Sequence, residues 1–217
     1  MTVPLTLRER RAQETRQLIL DAASRLFAVQ GYGQTSVDAI IAEAGLSKGA
    51  FYHHFAGKEI VFKALLEDRQ RRCAEQMADA VKPASSRREA IERLVSVSFE
   101  FNESDPDWVR LYFEFCVQAT RDGFAREIVA ASLRECRHII AGMLSIGREG
   151  GIVRPDLDAD AAALLLVGVF DGIALHRAVD PEAVDLQRLA KPTADFIERF
   201  VSGQANSGLG AAQDRAG

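Results

Sequence analysis

The chain has 217 residues, 47% of them hydrophobic, a length and apolar content that suit one or two compact soluble units with real cores. A formal net charge of −4 argues at first sight against a nucleic-acid partner, and three cysteines without a close pairing motif argue against a disulfide framework or a zinc site. Residues 1–11 lack the apolar run of a signal peptide, so a cytoplasmic protein is expected. The charge is unevenly divided. Through Lys58 seven cations face five carboxylates, a net +2, which leaves −6 for the remainder and makes the N-terminal part the anion-binding half.

Residues 1–11 are expected to form a flexible arm whose Arg8, Arg10 and Arg11 either contact a DNA backbone or minor groove or remain solvated. From Ala12 a helical pattern begins, with Leu18, Ala22 and Leu26 in one row and Ile19, Ala23 and Phe27 in the next. Gln30-Gly31-Tyr32-Gly33 ends it. Thr35 and Ser36 then stand before a second helix, as phosphate-contact and N-cap candidates at a terminus whose free amides favour anions. Val37, Ile40, Ile41 and Ala44 form the apolar face of that short helix, Gly45 stops it, and Leu46 turns inward as a plug. Ser47 caps a third helix from Lys48 to His54. Phe51 and Phe55, four apart, face the core, while Lys48, Gly49, Tyr52 and His53 fall on the opposite side with no carboxylate expected among them. A lysine for phosphate, a glycine that permits close approach and two ring donors suit a nucleic-acid reader.

The run TSVDAIIAEAGLSKGAFYHHFAGKEIVFKALL closely resembles the DNA-binding region of the TetR family of bacterial transcriptional regulators, with the likeness strong over about Ala12 to Leu66. The resemblance implies an all-α fold: a helix-turn-helix DNA-binding domain over 12–58, a helical regulatory and dimerisation domain over 59–202 and a disordered tail at 203–217. It implies base contacts from Lys48, Gly49 and Ala50, and phosphate contacts from Thr35, Tyr52, His53, Lys58 and also His54, with Ser36 at the same helix start. Lys58 matches a lysine that the family places on phosphate. Gly57 departs from the Ser, Asn or Asp that members often carry there, at a cost of a few tenths of a kcal/mol in capping.

Beyond Phe55 a long helix is expected over 58–81, ended before Pro83. Ser86 with Glu89 resembles a capping box opening a helix through Ile91, Leu94, Val95 and Phe99. Asp105-Pro106 starts another with Trp108, Tyr112, Phe113 and Phe115, and Asp122-Gly123 breaks it. A further long helix runs from Phe124 to Glu149, with Ile128, Leu133, Cys136, Ile140, Met143 and Leu144 inside. Gly150-Gly151 ends that one.

The next helix, over 159–179, is apolar on every side between Ala161 and Phe170, so both faces must be covered. Asp171, His176 and Arg177 interrupt it short of about 20 apolar residues, which argues against a membrane span and for a subunit interface. Gly168 and Gly172 allow a second helix to come close. The final helix, over 185–201, contains Pro192, which should kink or split it. The last two helices resemble the pair that forms a four-helix bundle with its copy in TetR-type dimers, so Leu165, Gly168, Gly172, Phe196 and Phe200 are the expected homodimer contacts.

Phe99, Trp108, Tyr112, Phe113, Cys116, His138, Met143, Phe170 and His176 are candidates for an effector pocket, each with ordinary core packing as its alternative. The three thiols are expected to be buried or idle, with a redox pair of Cys116 and Cys136 as the other reading. No H-E-x-x-H, G-x-S-x-G or phosphate loop is present, so no catalytic, metal or cofactor site is expected. The resemblance implies a repressor that leaves a pseudo-palindromic operator in double-stranded DNA when a small apolar or amphipathic effector binds. A nonspecific architectural DNA-binding protein is the alternative.

Overall fold

The computed structural model describes residues 6–203, and within them every regular element is a helix. The elements are α1 (Leu7–Gln34), α2 (Val37–Glu43), α3 (Lys48–His54), α4 (Lys58–Val81), α5 (Arg87–Glu103), α6 (Pro106–Ala119), α7 (Gly123–Glu149), α8 (Ala159–Val179) and α9 (Leu186–Ser202). The outer part of the expected arm, 1–5, and all but the first residue of the expected tail lie outside the described residues.

α1 begins five residues earlier than the apolar pattern indicates. Thr6 and Glu9 form a capping box, the Thr6 hydroxyl accepting from the Glu9 amide and the Glu9 carboxylate accepting from the Thr6 amide at 2.8 Å. Arg8, Arg10 and Arg11 therefore sit on a helix and not in a flexible arm. A second difference concerns Leu18, which is half exposed while Leu20 is buried. At 100° per residue the buried arc of α1 centres on Ile19, Ala23 and Phe27 and reaches Leu20, and Leu18 falls beyond its other edge.

The chain divides into two compact units, one comprising residues up to Ala74 with Asn102–Glu135, the other Glu75–Phe101 with the residues from Cys136 onward. In the first unit the inner faces of α1, α2, α3, the N-terminal part of α4, α6 and the start of α7 share one core. Its centre is aromatic. The fully buried Tyr32 ring lies 5.3 Å from Phe27, 5.7 Å from Phe62 and 4.8 Å from Phe115, and Phe62 stacks on Trp108 at 5.7 Å. Burial pushes the Tyr32 phenol well above its ordinary pKa, with the neighbouring Glu59 carboxylate adding to it. α6 opens as expected from Asp105, whose carboxylate accepts from the Trp108 amide at 3.0 Å ahead of Pro106.

The second unit packs Ile91, Val95 and Phe99 of α5 against Leu144, Ala162, Leu166, Leu186, Ala194 and Val201. Arg88 ties α5 to α9 through Asp195 and through Glu198 at 2.9 Å. The α5 cap is shared between two serines. Ser86 Oγ accepts from the Glu89 amide at 3.1 Å, whereas the Glu89 carboxylate reaches back to Ser85, not to Ser86. Those bonds to Ser85, with Arg93, hold the Glu89 carboxyl down at about 2.

Pro192 does not split α9, which is one helix across it. The proline is exposed, so the carbonyl four residues before it can turn to water. α8 is long and apolar enough by composition to cross a membrane, so length does not exclude a span as expected. Its Ala162, Ala163 and Leu166 are instead buried within the second unit.

Gly45 adopts φ +65°, and beyond it the Leu46 amide donates to Ile41 at 3.1 Å while the Gly45 amide donates to Ala42 at 3.1 Å. This pattern satisfies the last carbonyls of α2 and turns Leu46 onto the core. Nothing lies near a Cβ added there, so Gly45→Ala tests backbone conformation alone. We expect urea unfolding to show a loss of about 1–2 kcal/mol; an unchanged midpoint would mean the turn tolerates a side chain.

Candidate nucleic-acid interface

α2 and α3 are short, and each starts on a serine. Ser36 Oγ accepts from the Ala39 amide at 3.1 Å and Ser47 Oγ from the Ala50 amide at 3.2 Å. Seven-residue helices do not persist alone in water, so the apolar side of α3 must anchor it. Phe51 and Phe55 are buried with ring centroids 6.1 Å apart, and Arg16 lies 5.4 Å over the Phe55 ring. Lys48, Gly49, Tyr52 and His53 are exposed as expected, Ala50 and His54 half-buried. The His53 and His54 rings meet at 81° with centroids 5.1 Å apart. Burial, with His53 and Arg16 adding to it, lowers the His54 pKa below its ordinary value.

Three expected contacts take different places. Lys48 is not free of carboxylates, because Asp38 at the start of α2 sits 2.8 Å from its ammonium and raises its pKa. The turn at Gly45 brings the two helix starts together, which sequence spacing does not reveal. Thr35 is fully buried and not exposed as a phosphate contact needs to be; its hydroxyl donates to the Gly31 carbonyl at 2.7 Å and accepts from Gln30 at 3.2 Å. The Lys58 ammonium points back into the protein. It donates to the carbonyls of Tyr32 and Thr35, both at 2.9 Å, and lies 4.4 Å from the Tyr32 ring centroid. α1 ends there with carbonyls in need of donors, which explains the lysine's orientation.

One participant was illegible in the sequence. Glu114 of α6 accepts from the amides of Tyr32 at 3.0 Å and Gly33 at 2.8 Å, on the segment leading into α2.

The effector candidates fall in both units. Trp108 is buried in the first, with the Arg69 guanidinium 5.4 Å over its ring, while Tyr112 and Cys116 are half-buried against the same core. Phe113 lies 5.5 Å from Tyr112. In the second unit Phe99 meets Phe170 edge-on at 5.8 Å, and Met143 is half-buried. His138 and His176 are exposed on their helices, so neither belongs to a buried apolar interior in the single chain. Cys73, Cys116 and Cys136 are all partly buried. Among the described residues no three His, Cys, Asp or Glu side chains converge as metal ligands would.

The expected subunit contacts are partly open: Leu165 and Phe196 are exposed, whereas Phe200 packs against the core of the second unit. Gly168 is exposed and Gly172 half-buried on α8, and Phe196 and Phe200 of α9 stack with rings 4° from parallel at 6.0 Å. Leu164, Leu175 and Val179 extend the exposed α8 surface.

Residues 19–65 match the family profile described as bacterial regulatory proteins, tetR family, and residues 87–202 match that of the C-terminal domain of BetI-type transcriptional repressors. The chain is 24% identical over 188 residues to the fatty acid metabolism regulator protein of Bacillus subtilis, covering 87% of this chain and 94% of that protein. It is 23% identical over 183 residues to the regulator BetI of Rhizobium meliloti, covering 84% and 87% of the two chains. The structure of Bacillus subtilis FadR in complex with stearoyl-CoA superposes with a TM-score of 0.71 at 23% identity, covering 87% of this chain and 99% of that one.

Proposed function

Because this chain belongs to the TetR family of bacterial transcriptional regulators, we propose that its α3 reads a pseudo-palindromic operator as one half of a homodimer, and that an amphipathic small molecule releases it. The protein is a ligand-responsive, sequence-specific DNA-binding regulator and carries a repressor-type C-terminal domain. The observation behind the finer reading is the outward face of α3. Two buried phenylalanines hold out a helix whose exposed side offers Lys48, Gly49, Tyr52 and His53.

Lys48 and Gly49 at the helix start, with Ala50 beside them, are assigned to base edges, and Tyr52 and His53 to phosphate and sugar. Residues 12–58 then form the reading domain and 59–202 the regulatory and dimerisation part of a cytoplasmic protein. One such helix touches few bases, so a twofold pair is needed to give operator-level selectivity. Phe99, Met143 and Phe170 of the second unit are assigned to the effector. The apolar character of these side chains suits a ligand with a hydrocarbon portion, and a neighbour of this fold holds stearoyl-CoA. By linkage, the effector lowers operator affinity by the factor by which operator lowers effector affinity.

Selection of tight-binding genomic fragments with the purified protein tests this. The expected result is a palindrome bound roughly 10³-fold or more above random duplex, lost in the Lys48→Ala/Tyr52→Ala variant, whose changes lie on the exposed face. Retention of no sequence, with equal loss on all fragments as salt rises, would overturn the reading in favour of an architectural DNA-binding protein.

A further inference from the structure

We propose that Glu114 of α6, opposed by Lys58 of α4, is a positioning residue for operator reading, because the two side chains between them hold the backbone that carries α2 and α3. The inference rests on the operator reading above and concerns a residue outside the DNA-facing surface.

The backbone in question is 31–35. At Gly31, with φ 78° and ψ 165°, the helical course of α1 is interrupted, so the amides that follow need acceptors from elsewhere. Glu114 supplies them, one carboxylate oxygen to each of two successive amides, Tyr32 and Gly33. A Cβ on residue 31 would come within 2.9 Å of one of those oxygens, so the glycine is needed both for its conformation and for the approach of the carboxylate. The carbonyls of the same strip face the other way. Lys58 takes those of Tyr32 and Thr35 at 2.9 Å, and the Thr35 hydroxyl closes back on Gly31 at 2.7 Å. Amides held by α6 and carbonyls held by α4 leave the strip one course, and Ser36, the α2 cap, comes next.

The buried Tyr32 ring would by itself keep the strip on the protein, packed as it is among Phe27, Phe62 and Phe115. A ring fixes a point, however, and not the direction in which the chain leaves it. Direction is set at Gly33 and Thr35, where the side chains bonded to the backbone, Glu114 and Lys58, are charged. Hydrogen bonds to ionised groups are the stronger kind, so their loss is expected to show in where α2 sits before it shows in whether the unit folds.

Glu114→Gln keeps the size of the side chain and leaves the aromatic core untouched, but it offers one acceptor where two amides need one each. With the operator selected by the unaltered protein, at a temperature well below the melting point, this variant should bind operator about tenfold or more weakly and random duplex within about twofold of the original. A purely structural role would reduce both in equal proportion, and that result, or no change in either, would overturn the proposal. Lys58→Gln separates the same alternatives from the other side. A positioning residue loses operator affinity alone, whereas a phosphate contact loses affinity on every duplex and lowers the salt slope by about one. Hydrogen exchange reads the device without DNA and so distinguishes its failure from that of the operator reading. In Glu114→Gln, exchange should quicken at Gly33 and along α2, including Ile40, and stay unchanged at Ala23 of α1. Quickening confined to Tyr32 and Gly33 would overturn the proposal.

Discussion

Phe51→Ala is expected to melt the reading head, lowering the unfolding free energy of the first unit by about 3–5 kcal/mol. The side chain is fully buried, and it belongs to a helix of seven residues that has almost no stability of its own. Removing the ring leaves a void beside Phe55 and takes away the main apolar contact that keeps α3 against the core. Urea unfolding, with loss of operator binding followed in parallel, measures it. A loss below about 1 kcal/mol would show that the site can collapse around the alanine and that α3 is held by something other than this ring. Tyr52→Ala, one residue along, is the contrast. Tyr52 is 55% exposed, so its removal should change stability by no more than about 0.5 kcal/mol while weakening operator binding. Adjacent residues on one helix thus separate folding from reading, and the separation follows from the 100° between them.

What was legible in the sequence was local. Ser36, Ser47 and Asp105 cap helices as expected because a cap involves a side chain and an amide two or three residues away. Gly45 turns the chain because a left-handed residue is needed there and glycine takes that conformation without steric cost. Gly31 was legible as a helix end but not as a joint, since its role depends on Glu114, 83 positions further on, and nothing in the spacing of a carboxylate on α6 points to an amide in the last turn of α1. Lys58 shows the same limit in another form. Its position at the start of α4 suggested phosphate, and the unsatisfied carbonyls of a neighbouring helix end claimed it first. Asp38 and Lys48 pair because a turn folds two helix starts together, a distance that alternation and periodicity do not encode. Such contacts are tertiary, and a pattern of apolar positions specifies which face is buried but not which polar group will meet it.

Leu165→Asp is expected to convert the protein to a monomer and to cost operator affinity roughly 10³-fold or more, with little effect on the fold of each chain. At 100° per residue Leu164, Leu175, Gly168, Val179, Gly172 and Leu165 of α8 fall within an arc of about 100°, opposite the buried Ala162, Ala163 and Leu166. An apolar arc of this width, with two glycines four apart, is shaped to receive another helix at close range, and Phe196 of α9, 48% exposed, adds to the apolar surface. Since Leu165 is 57% exposed in the single chain, an aspartate there stays solvated in the monomer and should leave unfolding within about 0.5 kcal/mol of the original. In a twofold assembly the same substitution buries two carboxylates where leucines met, each without a partner, and desolvation opposes the contact. Sedimentation gives the mass, and titration against a full palindrome and a half-site gives the consequence. The half-site affinity should survive and the palindrome lose its advantage over it. A variant that still sediments as a dimer would place the subunit contact away from this arc, and one that becomes monomeric yet reads the full palindrome as before would mean that two copies meet only on the DNA.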